Sequence, residues 1–257
     1  MADVTRKYSG KYSGILEVDG KFVLVKGYER KIPVLYGLDY TTHDIPNYHL
    51  TPSENYQACL SFFKSLKLLD YPLHALICDD NVNIYEAARY FYPKAVIQLC
   101  QNHYKENIRR TLDLTLNQQY IPFMQSIEDL FSFKRSPDDF NHRAKNILNQ
   151  YRGDQILMSI LIDIAKRESL LCGWREGEHI PTTTNLIECF NSHIEGRLKT
   201  IKGFESFKHA DLWFNGYFLR RRTKKFTDCE GKFKCLNGFT GLEKSKNPDV
   251  DLPTYFT

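Results

Sequence analysis

The chain reads as an α/β protein, a mixed sheet flanked by helices and interrupted by an all-helical insertion. Three observations predict this. Up to about residue 100, short apolar runs alternate with segments of helical apolar spacing, in the order β-β-β-α-β-α-β. From about 103 to 170 only the helical spacing recurs. The 257 residues, 42% apolar and 26% charged, are enough to bury a large core.

Residues 14–40 read as three strands. The runs 14–18 and 22–25 flank Asp19-Gly20, a strong hairpin dipeptide. The third strand, 31–39, carries Pro33, which marks an edge or a strand start. A polar loop, 41–50, precedes a helix with Thr51 as cap, Pro52 in the first turn and Glu54 closing a capping box. Its predicted apolar face is Tyr56, Cys59, Leu60, Phe63 and Leu66. A short strand, 74–78, ends at Asp79-Asp80-Asn81, followed by a helix over about 83–92 and a strand over 95–99. In the insertion, Pro122, Ser136-Pro137-Asp138-Asp139 and Asp154 mark three helix starts. Helices from Asn185 to about Lys199 and from about Glu205 to Arg222 precede a loop-rich end. The expected organisation is a tail (1–13), core (14–101), insertion (102–172), core helices (173–225) and a second tail (226–257).

A net charge of +4 excludes a strongly cationic coat protein, so any nucleic acid must be held by locally concentrated charge. Seven cysteines without a C-x-x-C pair, in a chain too large to need disulfide staples, point to a reducing compartment. The polar start predicts no signal peptide, and the most apolar stretch, 156–165, is broken by Ser159 and Asp163, so no membrane partner is expected. No Walker or Rossmann glycine pattern occurs, so no nucleotide cofactor is expected. Cys100-x-x-His103 is half a zinc site, and zinc is not expected.

Asp19, Asp79 and Glu188 are the candidate catalytic carboxylates. In a mixed sheet, residues at neighbouring strand ends converge, and a helix packed across them can add a third. Three such carboxylates repel unless a divalent cation neutralises them, and oxygen-only ligation suits Mg²⁺ or Mn²⁺, with room for two ions. Each residue also has a structural reading. Asp19 opens an Asp-Gly turn, Asp79 and Asp80 stand where a helix cap would, and Glu188 follows Asn185 at capping-box spacing. The run from Arg220 to Lys225 is either a solvated helix end complementing the macrodipole or a phosphate contact.

Taken together, these segments resemble a known family. Val18-Asp19-Gly20 begins the match, and Ile77 to Asn81 continues it. Then follow Tyr92-Pro93, Ala95, Ile97-Gln98, Cys100, His103 and Asn107, and finally Thr183-Thr184-Asn185, Glu188, Asn191, Arg197 and Gly203-Phe204. The chain is similar over about 14–240 to DDE transposases of the Mutator-like and related bacterial insertion-sequence group. The resemblance implies an RNase H-like core with a helical insertion between the second Asp and the Glu. It implies metal-dependent hydrolysis and 3′-end strand transfer at transposon ends, with Asp19, Asp79 and Glu188 as ligands of two Mg²⁺ or Mn²⁺ ions. Asp80 is a one-residue alternative to Asp79, and Cys100, His103 and Asn185 fall near the site or serve structure. The partner is double-stranded DNA, at transposon ends and target, and the active complex is a homo-oligomer. The expected DNA contacts are Arg109, Arg110, Arg197, Arg220, Arg221, Arg222, Lys224 and Lys225. Only about 13 residues precede the first expected strand, too few for an end-reading domain, so the expectation is a truncated transposase, a catalytic fragment, or a chain that relies on another subunit. Two alternatives are a domesticated DNA-binding derivative and an RNase H-like nuclease. The expected compartment is the cytoplasm, at the nucleoid, in a prokaryote and the nucleus in a eukaryote.

Overall fold

A computed structural model describes residues 1–253; the last four residues of the expected second tail lie outside them. The chain opens with α1 (Ala2–Tyr8) in what reads as a tail, and its Thr5 and Tyr8 are buried. The first strand, β1 (Ile15–Val23), runs straight through Asp19 and Gly20. The expected hairpin is therefore absent, and its two strands are one. Ladder pairing overrides the dipeptide's turn preference, because Asp19 pairs with Tyr36 and Gly20 with Leu35 in an unbroken antiparallel register with β2 (Ile32–Asp39). The reversal comes later, where Gly27 adopts φ +91°. Pro33 pairs with Phe22 at the start of β2. The expected polar loop contains β3 (Tyr48–Leu50), antiparallel to β2.

The next helix, α2 (Tyr56–Leu68), is capped by Asn55, whose side chain accepts from the Ala58 amide at 3.0 Å. The expected box of Thr51 and Glu54 does not form, because the helix begins beyond it. The buried face shifts accordingly to Ala58, Cys59, Phe62, Phe63 and Leu66, with Tyr56 left exposed. The fourth strand, β4 (Ala75–Cys78), lies parallel to β1. It leads to α3 (Val82–Phe91), capped by Asn81 rather than by Asp79 or Asp80, and then to β5 (Val96–Leu99). The sheet order β3-β2-β1-β4-β5, with β1 antiparallel to β2 and parallel to β4, is a mixed five-stranded RNase H-like arrangement.

Two compact units divide the described residues, one made of Met1–Ile97 with those from Thr184 onward, the other of Gln98–Thr183. The second is helical throughout its regular elements: α4 (Gln101–Leu112), α5 (Ile121–Phe131), α6 (Pro137–Tyr151), α7 (Gln155–Lys166) and the short α8 (Glu168–Leu171). Ser136 and Asp154 cap α6 and α7 as their sequence context predicts. Its buried residues include Phe123, Ile127 and Leu130 of α5, Phe140 of α6, and Leu161 and Ile164 of α7.

The first unit is completed by α9 (Asn185–Leu198), α10 (Phe207–Thr223) and α11 (Gly241–Ser245). The last, in the expected loop-rich tail, is held by a capping box of Thr240 and Glu243. The core of this unit forms where Val23, Val34, Tyr36 and Leu38 of the sheet meet Ile187, Phe190 and Ile194 of α9 and Phe214 and Phe218 of α10. On β1 and β2 these residues alternate with Leu16, Val18 and Leu35, buried on the opposite face. Among the described residues no helix is long and apolar enough to cross a membrane.

Candidate functional site

The β1–β4 ladder ends at the pair Val18↔Cys78. One step further, Asp19 and Asp79 fall at the same level of two neighbouring strands, which run about 4.8 Å apart. Asp19 thus stands inside β1, at the point where its parallel neighbour ends. A third carboxylate, Glu54, shares this region. Burial first, then the charges of Asp19 and Asp79, push its carboxyl up to about 7. Asp79, rather than Asp80 beside it, is the member of the acidic dipeptide whose charge Glu54 feels. Gly20 makes the room, since a Cβ there would sit 3.1 Å from Glu54 Oε1 and 3.2 Å from Leu35 Cδ2. Sequence reasoning assigned Glu54 to a helix cap and so missed it. The signal was Asn55, a competing cap one residue later.

Helix α9 is docked on β1 by a carboxylate that sequence reasoning also missed. Glu17 is fully buried and its Oε2 accepts from the Ile187 amide, in the first turn of α9, at 2.8 Å. A carboxyl oxygen there satisfies one of the free amides of the helix's first turn. Glu188 follows immediately, with Oε1 accepting from Thr184 Oγ1 at 2.9 Å. The expected cap shifts by one residue, because Thr184 is the cap and Asn185 the exposed first residue of the helix. One turn on, the Asn191 amide group donates to Asp19 Oδ2 at 2.5 Å, and Asn191 Oδ1 accepts from the Tyr36 hydroxyl at 2.9 Å. Glu188 therefore lies one helical turn from the side chain that grips Asp19. Among the described residues, oxygens of Asp19, Asp79 and Glu188 do not all come within 4.8 Å of one another.

Asp80 is half-buried in the turn before Asn81. Cys100 and His103 belong to the second unit, Cys100 buried at the start of α4 and His103 half-buried in its first turn. Arg109 and Arg110 lie on the same helix, where Arg109 pairs with Glu106 and Glu128 and Arg110 with Glu106. Arg197, Arg220, Lys224 and Lys225 are exposed and Arg221 is half-buried against the ring of Phe190. Arg222 is a correction. It is 1% exposed and bonds Asp44 through Nε and a terminal nitrogen, both at 2.7 Å, so it cannot reach a phosphate. Helical spacing explains this, because one residue of the run must face the core with Phe214 and Phe218, and that residue is Arg222.

The donor set of the first unit fits a hard divalent cation, with oxygen atoms only and a carboxyl whose proton is favoured by burial and then by the charges of its neighbours. A pH prediction follows. Because the folded Glu54 holds its proton up to about 7, against 4.5 for the ordinary group, the native state binds more protons than the unfolded chain between those values. Glu54 therefore supports stability below pH 4.5 and loses that contribution as pH rises through 7. Thermal midpoints across pH 4–8 should show this fall, and Glu54→Gln should remove it. An identical pH profile in the variant would contradict the placement.

No family model matches the chain, and no curated protein matches it. Among solved structures it is similar to the Drosophila P element transposase strand transfer complex, at TM-score 0.45 and 10% identity over 87% of this chain and 79% of that one. A likeness of that degree adds nothing to the fold read from the ladders.

Proposed function

We propose that the chain is the catalytic part of a DDE-type transposase of the Mutator-like and related insertion-sequence group, acting on double-stranded DNA. The observation that carries this reading is the register of β1 and β4, which sets Asp19 beside Asp79 and under Asn191 of the helix bearing Glu188. Asp19, Asp79 and Glu188 are the residues that would hold Mg²⁺ or Mn²⁺. Bound there, such ions supply the positive charge that in-line displacement at a phosphodiester requires. The protein's own part is positioning. Glu17 fixes the start of α9, Asn191 orients Asp19, and Tyr36 holds Asn191. Burial first, and then the charges of Asp19 and Asp79, favour the protonated form of Glu54 beside them.

The test uses supercoiled plasmid and candidate terminal-sequence duplexes with Mg²⁺ or Mn²⁺. Nicked products bearing 3′-hydroxyls, and their joining to a second duplex, are expected with either ion and not with chelator. Cleavage without joining would make the protein a nuclease instead. Salt-dependent DNA binding with neither product would make it a non-catalytic derivative. The joining reaction should also become second order in protein at low concentration, as a homo-oligomeric complex requires.

A further inference from the structure

Helical geometry gives α9 two different flanks. Ile187, Phe190 and Ile194 face the core, with Glu188 and Asn191 on one side of that line and His193 and Arg197 on the other. The second flank borders a groove against α10 that the acidic region does not use. A recess of about 110 Å³ is lined there by His193, Arg197, Tyr217, Arg220, Arg221 and Lys224. A wider one, of about 450 Å³, shares Arg197, Tyr217 and Arg220 and continues over Leu212, Trp213 and Gly216. The shared residues make the two adjoin, a cationic recess beside an aromatic one.

Three observations bear on its occupant. Among the described residues no ion pair engages Arg197, Arg220, Arg221 or Lys224, and Arg221 Nε is buried without a hydrogen-bond partner. Tyr217 and Trp213 stack nearly parallel, with centroids 5.2 Å apart and planes 9° apart, forming an aromatic wall. A Cβ on Gly216 would meet nothing within 4 Å, so the floor between them is open. A duplex offers phosphates but keeps its base faces stacked inside. An unpaired strand offers both phosphates and a free base face, the combination that cations beside an aromatic platform recognise.

We infer that the α9–α10 groove binds an unpaired DNA strand, with phosphates on Arg197, Arg220, Arg221 and Lys224 and a base against the Tyr217–Trp213 wall. The choice of DNA rests on the transposase reading; the preference for an unpaired strand rests on the groove alone. Strand transfer leaves single-stranded segments beside the cleaved ends, and this groove would hold one of them on the far side of α9 from the acidic region.

The test is fluorescence anisotropy with a labelled single strand and the same sequence as a hairpin duplex, in chelator, so that cleavage plays no part. The single strand should bind about ten-fold more tightly, the worth of one stacked base. Tyr217→Leu should erase that advantage and leave duplex binding unchanged, while Tyr217→Phe retains it. Arg197→Gln and Arg220→Gln should weaken both ligands and flatten the salt slope by about one each. In the Trp174→Phe background, the remaining Trp213 fluorescence should be quenched by the single strand and not by the duplex, a readout that needs no change in the groove. Equal affinity for the two DNA forms, or no quenching, would overturn the inference. Loss of metal-dependent cleavage with these results intact would overturn the transposase reading alone.

Discussion

Asp79→Asn should lower metal-dependent strand cleavage by more than about a hundred-fold, the upper end of what losing an outer partner of a metal ligand costs. It should do so while making the metal-free protein more stable. Both effects come from one cause. Asp79 falls beside Asp19 at the end of the β1–β4 ladder, and Glu54 feels the charge of both. Without a cation these carboxylates repel, so neutralising one relieves the fold, by about 2–4 °C in Tm for each kcal/mol recovered. With Mg²⁺ or Mn²⁺ the order reverses, because the wild-type protein gains binding energy that the variant cannot. Asp19→Asn should behave alike but keep less of the stability gain, since the Asn191 amide group donates to Asp19 and then faces a weaker acceptor. Differential scanning fluorimetry with and without the ion, beside a nicking assay, reads all of this. A variant that cleaves DNA normally, or melts below the wild type without metal, would remove Asp79 from the site.

The fold was legible where local chemistry and tertiary packing agree. Ser136 and Asp154 cap helices because nothing else competes for those amides, and the run 75–78 is a buried strand in any context that covers both its faces. It was illegible where a long-range partner outweighs a local preference. Asp19-Gly20 prefers a turn, yet the ladder to Tyr36 and Leu35 holds it extended. Thr51 to Glu54 spells a capping box, yet Asn55 starts the helix and frees Glu54 to enter the acidic region. The adjacency of Asp19 and Asp79 was legible because residues at neighbouring strand ends fall at one level in a mixed sheet. The parts of Glu17 and Glu54 were not, since the first is a strand residue and the second imitates a cap. Only the packing of α9 on β1 and the missing side chain of Gly20 show what they meet.

Arg222→Met should destabilise the protein by about 3–5 kcal/mol, the cost of leaving a buried ion without its partner. At this chain length that is a fall in Tm on the order of 10 °C. The guanidinium grips both oxygens of Asp44, which is itself 0% exposed. Its other donors reach Thr5 Oγ1 at 2.7 Å and Ser9 Oγ at 2.8 Å, and Asp44 Oδ2 also accepts from Ser245 Oγ at 2.5 Å. One cation thereby ties α10 to α1, to the loop before β3 and to α11. Replacing the pair together, as Arg222→Met with Asp44→Leu, should recover only part of the loss. The buried charge is gone, but the hydroxyls of Thr5, Ser9 and Ser245 lose their partner. At a temperature where the single variant is folded, its DNA affinity and salt slope should equal those of the wild type. Arg220→Gln, two residues away, should show the reverse, an unchanged Tm and a flatter slope. The contrast separates the two meanings of one basic run, because a phosphate contact changes affinity and a buried tie changes stability. A variant at Arg222 that kept its melting point and lost DNA affinity would reverse this assignment.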